Sequence, residues 1–361
     1  MVPQGFSASY TRSYALLDRP DGSIQYMLNV VVSQSLYDYY REASHRQVSV
    51  EDFAKFVTPY ALRPIADRLR EIYGGDDEKF ANGALMLVHQ IPYNVTLPIK
   101  YPVETIVENK GDCDLFSYIA ASIIKAGGVD VVLLLYEDKA HMNIGVNLPQ
   151  NPQYARTPVS YVTVDGVKYY IAECTAGTED WRESWRVGEC PLELRQERPQ
   201  VISLENCEQV APGQVSASYK TLASSTISLN VSPFFVIQGS TVTLSGQISP
   251  NLQNKTVTIY VRVGGYSWNI LGTTTTDASG SFTYLWRVNE ASIYQIRASW
   301  SGDDDYAGAD SQTISLTAFS TFFIVLLAGA VILVFVGIVI FLMSTQKNYG
   351  VEEPQPPQIL S

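Results

Sequence analysis

The stretch YPVETIVENKGDCDLFSYIAASIIKAGG, residues 101–128, decides how the first half of this chain folds. Phe116, Ile119, Ala120, Ile123 and Ile124 recur at helical spacing, and Gly127-Gly128 closes the pattern. The spacing predicts a helix over 112–126 with its apolar face against a sheet. Cys113 falls in the first turn, where unpaired backbone N–H groups and the helix dipole favour a thiolate. Gly111 lets the chain turn tightly into the helix without a Cβ in the way. A thiol carried on a buried helix is held rigidly, as a nucleophile must be. A helical cysteine by itself is more often a small buried hydrophobe. Whether Cys113 is more than that rests on the residues around it.

Downstream, residues 129–136, 141–147, 161–164 and 167–174 read as strands, the last two joined by Asp165-Gly166, a hairpin signal. His141 opens one strand 28 residues after the cysteine, and Glu173 ends another 32 residues further on. The chain has only three histidines, which sharpens any role for this one. A carboxylate at Glu173 can accept the second ring N–H and so fix the imidazole. Strand alternation sends Glu173 and Cys174 to opposite faces.

Upstream, residues 6–35 alternate around Pro20-Asp21-Gly22 as a β-hairpin. Ser49 and Asp52 suggest a capping box opening a helix through Val57. A second helix is expected from Pro64 to Gly74-Gly75, and a third over 76–89. His89 reads as packing at a helix end and His45 as surface. Helices followed by strands make residues 1–207 an α+β domain.

GDCDLFSYIAASIIKAGG, then HMNIGV, then YYIAECT resemble the transglutaminase-like superfamily of cysteine hydrolases, which have a papain-like fold. VHQIPYN and YPVETIVENK also look like family segments that precede the cysteine, and the likeness covers residues 80–190. The resemblance implies Cys113 as nucleophile, His141 as general base and Glu173 as the orienting acid. Many members carry Asp where this chain has Glu173. It also implies an oxyanion donor upstream, for which Gln90 is the candidate. The implied chemistry is acyl transfer on an amide of a protein or peptide substrate through a thioester. Water completes a hydrolysis; an amine completes a cross-link. The rival expectation is a non-enzymatic surface protein that uses the same domain for adhesion or assembly.

Beyond this domain, residues 208–226 are small and polar and read as a linker. Residues 227–317 hold short strands at close spacing, the pattern of an all-β sandwich. GSFTYLWRV followed by YQIRASWSGDDDYAGADS resembles the Ig-like repeats of prokaryotic surface proteins. Asp303–Asp305 lacks EF-hand spacing and reads as a solvated loop. Residues 319–343 are 25 in a row without a charge, long enough to span a bilayer, and 344–361 form a short tail. The fold class is therefore multidomain: an α+β transglutaminase-like domain, an Ig-like sandwich and a single transmembrane helix.

The acidic flank before the helix and the lone Lys347 after it vote for an internal tail and surface-facing domains. Sequons at Asn94, Asn230 and Asn254 agree with that orientation. No signal peptide is visible, so either the start lies upstream of Met1 or the protein inserts through its C-terminal helix, leaving its domains cytoplasmic. Of these the first is favoured. A net charge of −11 with no basic stripe argues against nucleic acid as a partner. No CxxC pair exists among the four cysteines, so a zinc ribbon is excluded, and no metal or cofactor is expected. Outside a cell, two of Cys174, Cys190 and Cys207 could pair.

Overall fold

The structure, a computed structural model, describes residues 9–347. The first residues of the predicted hairpin and residues 348–361 of the tail lie outside that range. Strands β1 (Ser9–Leu17) and β2 (Gln25–Ser33) pair antiparallel from Ser9↔Ser33 to Leu17↔Gln25, as the alternation predicts. Ser33 then caps α1 (Gln34–Glu42), its hydroxyl accepting from Leu36 N at 3.3 Å.

Asp52 takes the Ser49 N–H at 2.9 Å, as a capping box requires, but the element it opens, Val50–Phe56, is a 3-10 helix. Helix α2 (Pro59–Tyr73) starts before Pro64 rather than after it. Proline at 64 cannot donate to the Tyr60 carbonyl, and the Gln214 side chain fills that place at 3.0 Å. Helix α3 (Asp77–Val88) is capped by Asp76, and α4 (Pro102–Glu108) leads to α5 (Cys113–Ala126).

Helix α5 is buried on nearly every side rather than on one face. Its two serines tolerate this by bonding their own turns: Ser117 Oγ donates to Cys113 O at 2.7 Å and Ser122 Oγ to Tyr118 O at 2.6 Å. The helix lies against strands β3 (Val131–Tyr136) and β4 (His141–Val146). Those strands belong to a sheet with β5 (Tyr161–Val164), β6 (Val167–Ala172) and β7 (Gln200–Ile202), in the order β5-β6-β4-β3-β7. The Asp165-Gly166 turn is made as expected, with both residues at positive φ, 49° and 81°.

The predicted linker is not a free tether. Residues 216–218 form strand β8, which adds to β2 as the third strand of the N-terminal sheet. Its Ser-Ala-Ser side chains read as loop composition, yet their small size is what allows all three to be buried.

Strands β9 (Thr226–Ile227), β10 (Asn230–Ser232), β12 (Thr241–Ser249) and β15 (Ser281–Arg287) build one layer of a sandwich. The second layer holds β11 (Phe235–Ile237), β13 (Thr256–Val263), β14 (Asn269–Thr275), β16 (Ile293–Gly302), β17 (Ala307–Asp310) and β18 (Ile314–Phe319). Ile259, Phe282, Ile296 and Trp300 fill the space between the layers.

The sandwich packs directly on the N-terminal domain. Asp310, fully buried, accepts from Ser35 N at 3.0 Å, and Arg297 meets Asp38 at 3.0 Å. Arg262 pairs with Glu42, and the Trp268 ring lies between Arg262 and Arg297, each 4.7 Å from its centre. The acidic loop is partly neutralised rather than merely solvated: Lys255 meets Asp303 at 2.7 Å and Arg68 meets Asp304 at 3.3 Å.

Helix α6 (Thr321–Lys347) follows the sandwich. Its uncharged stretch, Thr321–Met343, is long and apolar enough to cross a membrane. The predicted boundary at 319 shifts, because Phe319 is the last residue of β18 and pairs with Ile237. Sheets thus dominate the chain, with helices concentrated in the N-terminal domain.

Candidate active site

Cys113 is the first residue of α5 and is 6% exposed. The approach to it is fixed by backbone: Asn94 N donates to Gly111 O at 2.6 Å, and Gly111 N to Pro92 O at 3.2 Å. A Cβ at 111 would stand 3.0 Å from both Phe116 and Thr105, which accounts for glycine there. Asp112 turns its carboxylate to Thr96 N at 2.9 Å and does not cap α5. The opening N–H groups of the helix therefore have no side-chain acceptor.

Strand β3 delivers the chain through a short turn to Ala140, at φ 46°, and His141 follows as the first residue of β4. The Ala140 carbonyl lies 4.0 Å from the Cys113 sulfur, so this turn brings the ring to the thiol. His141 Nε2 bonds Glu173 Oε2 at 2.8 Å, which leaves Nδ1 as the ring nitrogen open to the thiol, whose own contacts are Asp114 Oδ1 at 3.5 Å and Ala140 O at 4.0 Å. Burial works against charge on the ring, but the neighbouring Cys113 and Glu173 prevail and raise its pKa to about 10.

Glu173 follows β6 and is 1% exposed. Burial raises its pKa, yet the His141 bond and charge, the Thr175 N–H at 2.8 Å and the Asn143 amide at 3.3 Å outweigh burial and lower it. Cys174 turns the other way into the core, where burial pushes its thiol well up, as strand alternation predicts. Cys190 is also buried, and among the described residues all four cysteines are unpaired, so no disulfide forms among Cys174, Cys190 and Cys207.

Two supporting residues carry no signal in the sequence. Asn143 stands two residues beyond His141 and so shares its side of β4. His89, at the end of α3, is buried and contacts the Glu173 carbonyl through Nε2 at 2.9 Å. A carbonyl only accepts, so this nitrogen carries the proton. Burial depresses the His89 pKa to about 4 and keeps the ring neutral.

Gln90 does not reach the site. Its Nε2 donates to Ala15 O at 2.8 Å and Met86 O at 2.7 Å, and its Oε1 accepts from Ala15 N at 2.9 Å. That amide stitches α3 to β1, which corrects the expectation of an oxyanion donor. Tyr93, 56% exposed, sets its ring against Phe116 at 6.3 Å, and burial followed by the nearby Cys113 raises its phenol pKa. His45, expected at the surface, is largely buried against Glu104 at 2.8 Å.

Beside the triad opens a pocket of about 550 Å³. His141 and Glu173 line one side of it, and Lys139, Trp185, Leu192 and Glu193 line the rest. Among the described residues, no group of three His, Cys, Asp or Glu is arranged to hold a metal ion.

No family model matches the chain, and no curated protein does. Among solved structures, the CARDB domain of a Pyrococcus furiosus protein is similar at 12% identity, covering 26% of this chain and 91% of that one, with a TM-score of 0.19. A chain in a structure describing T cell specificity and activation by the bacterial superantigen toxic shock syndrome toxin-1 is similar at 13% identity, covering 26% and 99%, with a TM-score of 0.21. The sensor domain of an anti-sigma factor from Pseudobacteroides cellulosolvens is similar at 10% identity, covering 28% and 99%, also at 0.21. At these scores the likeness bears on neither the fold nor the site.

Proposed function

We propose that this chain is a membrane-anchored cysteine hydrolase of the transglutaminase-like superfamily, acting on amide or peptide bonds. The observation that carries this reading is Cys113 at the start of a buried helix, 4.0 Å from the carbonyl of Ala140, with the adjacent His141 held at 2.8 Å by buried Glu173. His141 Nδ1 takes the thiol proton, and the sulfur attacks the amide carbonyl carbon. The Cys113 backbone N–H, with the Tyr93 hydroxyl as second donor, receives the charge that develops on oxygen. Imidazolium then passes its proton to the departing amine as the C–N bond breaks, leaving a thioester. Water, deprotonated by His141, resolves the thioester; an amine in its place would give a cross-link. Glu173 holds the ring in position and stabilises its charged form through the cycle.

The α6 helix anchors the protein, with the domains outside and the tail inside. Asn94, Asn230 and Asn254 are all exposed, as glycosylated positions must be. A panel of fluorogenic peptide amides, offered with and without a primary amine, tests the chemistry on the full chain. Release of amine together with a mass adduct on Cys113, both lost in Cys113→Ala, supports the proposal. Incorporation of the added amine selects cross-linking. Peptide binding with neither adduct nor release selects the adhesion reading.

A further inference from the structure

Of the seven exposed large apolar side chains of the sandwich, five gather at one end, while Ile270 and Leu285 lie along β14 and β15. Strand β18 stops at Phe319, and only Ser320 separates it from α6, its hydroxyl accepting from Phe323 N at 3.1 Å. No tether intervenes, so the end of the sandwich and the start of the helix sit at one level. Strand register identifies what else lies there. Ile237 pairs with Phe319, Ile293 with Thr317, and Val263 with Tyr294. Gly264 N donates to Ile293 O, so the loop that carries Tyr266 closes this same end. Phe234, Phe235, Ile237, Tyr266 and Ile293 are all exposed, Tyr266 at 80%. Phe235 stacks on Phe319 at 6.4 Å, and Phe319 on Phe323 at 5.6 Å, so aromatic surface runs unbroken from β11 into the helix.

The opposite end is different. Its loops, 250–255, 276–280 and 303–306, expose no large apolar side chain and present Asn251, Asn254, Asp277 and Asp304 to solvent. Scattered apolar residues on a surface mean nothing; residues segregated to one end do.

We infer that the α6 end of the sandwich is a lipid-contacting surface, where Phe235, Ile237, Tyr266 and Ile293 enter the interfacial layer of the bilayer that α6 crosses. This rests on α6 spanning the membrane. Lipid is the occupant because the patch is continuous with the helix and meets it without a spacer; aromatic side chains favour that layer. The sandwich then stands on the bilayer instead of swinging above it. The N-terminal domain lies along its flank, from Glu42 beside Trp268 at the membrane end to Arg68 beside Asp304 at the far end. Its height above the lipid is therefore set.

Spin labels test this on the full chain in phosphatidylcholine nanodiscs, in a Cys113→Ser background where the remaining cysteines are buried. Labels go on Ile293→Cys and Tyr266→Cys, on Ala278→Cys at the far end, and on Leu333→Cys within α6. The ratio of accessibility to oxygen over a water-soluble nickel chelate is expected to be several-fold higher at 293 and 266 than at 278, approaching that at 333. Ratios at 293 and 266 equal to that at 278, with 333 still in lipid, overturn the inference alone and point to water or a protein cover. A water-like ratio at 333 removes the membrane anchor itself, and the inference with it.

Discussion

A carboxylate at 1% exposure persists as an anion only when its oxygens are answered, and Glu173 has His141, Asn143 and Thr175 N for that purpose. Glu173→Gln keeps the shape and removes the charge, so turnover is expected to fall about 10³-fold or more, read as kcat/KM. The pairing also stabilises the fold. The His141 pKa is raised, so its contribution is complete below its ordinary value of 6.5 and vanishes as pH climbs through about 10. His89 works in the opposite sense. With its folded pKa near 4, the unfolded chain takes up the proton first, and stability drops between pH 6.5 and 4. The loss amounts to roughly 3 kcal/mol for a group this buried, and melting curves of His89→Gln should show a shallower acid slope. The places of Cys113, His141 and Glu173, at a helix start and at strand ends, were legible from period and turn signals, whereas their roles came from their order and the resemblance. His89 was not, since its partner is a main-chain carbonyl 84 residues away. Gln90 was misread because position near the cysteine segment does not reveal where a side chain at the end of α3 turns.

Helix α5 ends where Gly127 lies over Phe80. A Cβ at 127 would fall 2.0 Å from that ring, which is fully buried and carries Arg70 over its face at 3.9 Å. Gly127→Ala should therefore destabilise the N-terminal domain by about 2 kcal/mol, measured by urea unfolding of the full chain. At this scale, hairpins and helices with strong period or clear turn chemistry were legible, including β1–β2, α3, α5 and β5–β6. Pro64 misled because a proline predicts a helix start when considered alone; a glutamine from residue 214 supplies the missing donor and keeps α2 continuous. Strand β8 was invisible for the reverse reason. Three small residues show no alternation, yet only small residues fit beneath the sandwich.

The two domains share a charged and buried seam that composition could not disclose, because Arg297 and Asp38 are 259 residues apart. Their side chains are 15% and 9% exposed, and without Arg297 the Asp38 carboxylate keeps only Gln34 at 2.8 Å and the more exposed Arg41 at 3.4 Å. Arg297→Ala is expected to cost about 2 kcal/mol, less than an unpaired buried charge would, and to split a single calorimetric transition into two. A split already present in the parent chain would mean that the seam does not couple the domains. The three-part layout was legible from the change of period and the uncharged run at the end. What escaped was the contact between parts, since a polar, small-residue segment looks the same whether it is free or pinned.

The measurement that bears most directly on the central claim is iodoacetamide labelling of the full chain in detergent, followed residue by residue by mass spectrometry from about pH 5 to pH 9. Cys174, Cys190 and Cys207 serve as internal references, and His141→Ala runs in parallel. The account predicts that Cys113 alone labels fast below neutral pH, and that His141→Ala abolishes this advantage. Labelling of Cys113 no faster than the reference cysteines would contradict it, and the domain would then be a binding module.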